Sequence, residues 1–130
     1  MAHEIELILL KQVASYLATP IFIVDTGGDL LYYNEPAEVL LGSRYDETGE
    51  MPLEEWGTVF APTDRSGAVL PPESLPLAIA VQKKQPAHGE TSITGLDGVR
   101  RDLYVSAFPL VGQNDRNLGA MAIFWEESGR

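Results

Sequence analysis

The chain has no cysteine, which excludes disulfides, thiolate metal sites and cysteine nucleophiles, and which fits a reducing compartment. Histidine is almost as scarce. His3 stands near the N-terminus and His88 beyond the middle, and neither has a metal-ligand neighbour at workable spacing, so no metal site is expected. Basic residues are few: 9 Lys and Arg against 19 Asp and Glu leave a formal net charge of −10, which repels a phosphate backbone. Direct nucleic-acid binding is therefore not expected. The longest uninterrupted apolar run, Ala120 to Trp125, is about six residues, against the roughly 20 needed to span a bilayer. The N-terminus carries Glu4 and Glu6 where a signal peptide would be basic, so a cytoplasmic protein without membrane contact is expected.

What remains is the composition of one globular domain, 45% hydrophobic and 22% charged over 130 residues, enough to bury a single core. The most legible stretch runs from Pro20 to Gly42. Ile21 to Asp25 suits a strand, Thr26-Gly27-Gly28-Asp29 supplies a tight turn, and Leu30 to Tyr33 returns as a second strand. Asn34 is placed to cap a helix over Glu35 to Leu41, with Pro36 in its first turn and Gly42 at its left-handed end.

Upstream, residues 4 to 18 predict a helix whose Ile5, Ile8, Leu9, Gln12, Val13, Tyr16 and Leu17 approximate a stripe, while Leu7 and Leu10 place apolar groups off it. Such a helix needs more than one partner. One side is expected on the domain and the other on a second subunit, with Ile5, Ile8, Leu9, Val13 and Tyr16 as dimer-interface candidates. Downstream, Ser43 to Pro72 is weakly patterned. Short helical turns are expected there, one of them starting near Pro52 and carrying Leu53, Trp56 and Phe60 at helical spacing. Ser74 predicts the cap of a buried helix that carries Leu75, Leu77, Ala78, Ile79, Ala80 and Val81 and stops at Pro86. Gly89 to Thr94, Arg100 to Leu110 and Gly119 to Trp125 read as three antiparallel strands. In the last two both alternating sets are largely apolar, so both sheet faces are expected to be covered.

No catalytic constellation emerges. The adjacent carboxylates Glu54-Glu55 and Glu126-Glu127 point apart, Gly27-Gly28 lies between strands and leads into no helix, and His88 reads as a surface pair with Glu90. An enzyme is not expected.

The order of these elements resembles the PAS family. An Asp closes the first strand, an Asn opens the helix and Leu-Gly ends it; then come Leu75-Pro76-Leu77-Ala78 with Ala80, Leu96-Asp97-Gly98, Val105 to Leu110, and Gly119-Ala120. The resemblance covers roughly residues 18 to 125. It implies an α+β fold, a five-stranded antiparallel sheet with helices packed on one face and an N-terminal helical extension. The expected divisions are 1–18, a helix and dimerisation element; 19–127, the PAS domain; and 128–130, a C-terminal tail.

By the same resemblance the chain is a sensory module that binds a small, mostly apolar ligand or passes signals through protein contacts as a homodimer. The alternative is a dimerisation module with a self-filled core, and after it a small α/β enzyme. Trp56, Phe60, Ile79, Tyr104, Ser106 and Met121 are the ligand-pocket candidates, with Tyr104 and Ser106 able to hydrogen-bond. Relatives that attach flavin covalently do so through a Cys this chain lacks, and haem-binding relatives use a His on the long helix, where none stands; non-covalent flavin is left open. Many relatives end on Asp-Ile-Thr or Asp-Val-Thr, and Glu126-Glu127-Ser128 stands here with only Gly129 and Arg130 after it. No output domain is expected within the chain, whether it is part of a larger regulator or works through another subunit.

Overall fold

A computed structural model of the chain describes residues 5–126. The predicted tail, 128–130, lies outside them. Five strands, β1 (Ile21–Val24), β2 (Leu30–Tyr33), β3 (Ala87–Thr94), β4 (Arg100–Val111) and β5 (Asn117–Glu126), form one antiparallel sheet in the order β2-β1-β5-β4-β3. The first strand therefore lies beside the last, with Ile21 opposite Ile123 and Val24 opposite Ala120.

One face carries α2 (Glu35–Leu41), α3 (Tyr45–Thr48), α4 (Leu53–Val59) and α5 (Pro76–Lys83), and buries the larger core around Phe22, Tyr33, Trp56, Leu77, Leu103 and Phe124. The other face carries α1 (Ile5–Ala14), whose Leu7 and Ala14 pack with Ile21, Ile23, Leu31 and Leu118. Leu7, one of the two residues that blurred the predicted stripe, is thus what docks the helix. The stripe itself faces outward: Ile5, Ile8, Leu9, Val13, Tyr16 and Leu17 are between 45% and 78% exposed.

The predicted helix over residues 4 to 18 stops at Ala14. Tyr16 and Leu17 donate to Val13 and Ala14 in tight i to i−3 bonds, and the Asn34 amide takes the Ala14 carbonyl at 2.9 Å. Asn34 is fully buried. Its Oδ1 accepts from Ile21 N (2.9 Å) and Ala37 N (3.3 Å), and its Nδ2 donates to Ala14 O and Thr19 O (2.9 Å each). One side chain thereby joins the end of α1, the start of β1 and the first turn of α2, with all of its hydrogen-bonding capacity in use. Gly42 caps α2 at φ 77, and the freed carbonyls of Leu40 and Leu41 accept from Arg101 Nη1 and Leu96 N (2.8 Å each).

Ser74 does not cap α5. Pro72–Ser74 forms a 3-10 turn, the Ser74 hydroxyl donates back to Pro71 O at 2.8 Å, and Leu75 takes the cap position with Pro76 opening the helix. The free edge of β3 is covered by the loop after α4, where Thr63 exchanges backbone bonds with Ser92 (2.8 and 2.9 Å).

Candidate functional site

Between the sheet and the helices α4 and α5 lies a cavity of about 90 Å³. Trp56 descends from α4 and Phe60 from its C-cap, Leu75 and Leu77 from the start of α5, and the sheet presents Phe22, Thr91, Ile93, Leu103, Val105 and Phe124. Trp56 is held in place by its indole N–H, which donates to Gly28 O in the β1-β2 turn at 2.8 Å, and by edge-on contact with Phe22, ring centroids 5.2 Å apart. From Phe22 the aromatic packing continues to Tyr33 (5.8 Å, stacked), Tyr45 (5.5 Å) and Tyr32 (5.3 Å), whose ring lies 5.7 Å from Lys11 Nζ of α1. A row of rings thus wraps the β2 side of the sheet from cavity wall to N-terminal helix. The Tyr45 hydroxyl donates to Leu31 O, and burial, aided by nearby Glu50, pushes it up to about 12, so it stays protonated at physiological pH.

Of the pocket candidates, Trp56 and Phe60 line this cavity. Ile79 is half-buried on α5 and does not reach it. Tyr104 and Ser106 lie on the opposite face, because alternation along β4 sends Leu103, Val105 and Ala107 inward and their neighbours outward. Met121 packs in the outer cluster that receives α1. The sheet residues of the wall, Phe22, Thr91, Ile93, Leu103, Val105, Ala122 and Phe124, are absent from the candidate set, and on each strand they share one parity. One known inward position on a strand fixes that strand's set.

The outer face of β3 and β4 carries a second recess, of about 320 Å³, edged by His88, Glu90, Tyr104, Ser106 and Trp125. His88 does not pair with Glu90. Its Nδ1 meets Ser106 Oγ at 2.9 Å directly across the strands, while Glu90 lies 3.7 Å from Arg65, which also sits over the Tyr104 ring at 5.5 Å. This Ser–His contact is exposed and involves Nδ1, and it is a cross-strand surface pair with no catalytic geometry around it. Among the described residues no group of His, Cys, Asp and Glu could hold a metal ion, and no helix is long and apolar enough to cross a membrane.

An antiparallel five-stranded sheet in the order 2-1-5-4-3, with its helices and an apolar cavity on one face, is the PAS fold, and the chain adopts it. The PAS domain of Bordetella pertussis BvgS is similar at TM-score 0.64, with 16% identity over 96% of this chain and 88% of that one. The PAS domain of nitrogen regulation protein NR(II) from Vibrio parahaemolyticus gives 0.62, with 20% identity over 92% and 98%. A LOV protein of Rhodobacter sphaeroides gives 0.72, with 11% identity over 97% and 70%. No family model matches the chain, and no curated protein matches it in sequence.

Proposed function

We propose that the chain is a sensory or signal-transduction module, without enzymatic activity, that holds a small uncharged ligand in the cavity and works as a homodimer through α1. The observation that carries this reading is the two-sided use of one sheet. It separates an apolar cavity from a helix whose outer side leaves Ile5, Ile8, Leu9, Val13, Tyr16 and Leu17 exposed. That stripe has no charge within it and complements itself, as a two-fold interface requires. A ligand that fits one arrangement of the cavity better than another would bias α1 through Asn34 and the aromatic row, within the limit of its differential affinity. The protein is read as cytoplasmic, without direct nucleic-acid contact.

The residues present do not fit flavin or haem. A flavin ring needs more room than about 90 Å³ and partners for its polar edge, which an almost wholly carbon lining does not offer. His88 is on the far side of the sheet from the cavity. The small volume also favours the second reading, a dimerisation module whose core is filled by its own side chains.

Sedimentation velocity tests the dimer. The wild-type chain should sediment as two subunits at micromolar concentration and Leu9→Glu as one, with unchanged circular dichroism because Leu9 is 54% exposed. A wild-type monomer, or a variant that still pairs, would remove α1 from the interface.

A further inference from the structure

The cavity wall contains one polar side chain that its surroundings leave unserved. Thr91 is only 5% exposed and lines the cavity, yet its hydroxyl makes no hydrogen bond to the described residues. Its neighbour Ser92 shows the usual outcome. Pointing to the other face, it donates to Asp102 Oδ1 at 2.6 Å. Among the side chains of the described lining residues the other polar group, the Trp56 N–H, is already spent on Gly28 O. The Thr91 hydroxyl is not sealed in the packing: it is open to the cavity, where the polar atom of a ligand can reach it. The remaining wall is carbon from Leu, Ile, Val, Phe, Pro and Ala side chains, with no charged group that could offset a buried ion.

We infer that the cavity selects small, uncharged molecules with an apolar body and a single hydrogen-bonding head, such as short alcohols, ketones or aldehydes, the head meeting Thr91 Oγ1. The inference rests on the proposed reading of the cavity as a ligand site and names the class of ligand it takes. Size follows from volume. At about 90 Å³ the space is smaller than the ~150 Å³ engineered apolar cavity that takes up six-atom benzene, which limits an occupant to about three to five heavy atoms. Chemistry follows from Thr91. A hydroxyl can donate or accept, so alcohols and carbonyl compounds both satisfy it, while carboxylates and amines would enter charged and unpaired.

The test uses the full chain and two probes, xenon as a body without a head and butan-1-ol as a body with one, each followed by amide chemical-shift titration. Both should shift Phe60, Ile93 and Phe124, which lie on three different walls. Thr91→Val should weaken butan-1-ol about threefold to tenfold, the effect of one neutral hydrogen bond, and leave xenon within about a factor of two. Thr91→Ser, which keeps the hydroxyl, should retain the preference and guards against misreading a folding defect. If xenon binds and Thr91→Val leaves butan-1-ol unchanged, the single-head class is wrong while the cavity remains a ligand site. If neither probe shifts the wall residues, the ligand-site reading fails and this inference with it.

Discussion

Asn34 offers the sharpest perturbation of the link between the N-terminal helix and the domain. Asn34→Ala removes an amide that serves four backbone groups, leaves the Ile21 N–H buried without that acceptor, and leaves the Ala14 carbonyl only its bond from Leu17 N. Counting about 1–3 kcal/mol for the Ile21 N–H and about 0.5–1 kcal/mol for each of the other three bonds, the loss should be about 3–5 kcal/mol. For a domain of this size, whose total stability is of order 5–15 kcal/mol, that lowers Tm by roughly 10–20 °C. Asn34→Asp divides the effect. It keeps the two acceptor bonds that start β1 and cap α2, and turns the two donor bonds toward Ala14 and Thr19 into contacts between oxygens. Urea unfolding should therefore show both variants destabilised. In the Asp variant, hydrogen exchange should accelerate first in α1, with the β1-β2 hairpin still protected. An Asn34→Ala variant within about 1 kcal/mol of wild type would refute the reasoning, as would an Asp variant that exchanges uniformly.

Two further perturbations follow from the loops around α2 and the first hairpin. Gly42→Ala should cost about 2 kcal/mol or more, because φ is 77 and the new Cβ would stand 2.5 Å from Asp97 N; urea unfolding measures it, and a neutral result would contradict the close approach. The pH dependence should have two signs. The hydrogen bond from Arg101 holds Asp97 below the usual carboxylate range, so its contribution is present above the unfolded value and disappears as pH falls through the folded one. Arg101→Ala should move the Asp97 carboxyl resonance back toward a midpoint near 3.8. Asp29 is raised instead, by partial desolvation and by Asp25, Glu54 and Glu50, so its contribution lies at low pH and is lost as pH rises through the folded value. Asp29→Asn should accordingly raise Tm at pH 7 and lose that advantage in acid, and a lower Tm at pH 7 would count against the acidic crowding.

The elements that could be read from sequence are those written in local chemistry. The hairpin and α2 are defined by Gly27-Gly28, Asn34, Pro36 and Gly42 within about two dozen residues, and they form where turn and cap rules place them. Where tertiary contacts decide, local signals mislead. Asn34 reads as a cap, while its bonds to Ala14 and Thr19 depend on a helix arriving from the opposite sheet face. Ser74 reads as a cap as well, but two prolines before it start a 3-10 turn that moves the cap to Leu75. The site was half legible for a related reason. Trp56 and Phe60 are large aromatics on and just after a short helix and have little choice of direction, whereas both parities of β4 and β5 are largely apolar although the outer face of β4 is only partly covered. Hydrophobic alternation cannot then say whether Tyr104 or Leu103 faces the cavity. Thr91 carried no sequence signal at all, since its meaning is the missing partner and not the residue type.

Ligand occupancy and pairing through α1 are tested together by native mass spectrometry of the protein purified from its own host, with an absorption spectrum of the same sample. Two chains with a small extra mass, released on denaturation, and no flavin or haem absorption are expected. A single chain at its bare mass would contradict both the pairing through α1 and the occupied cavity.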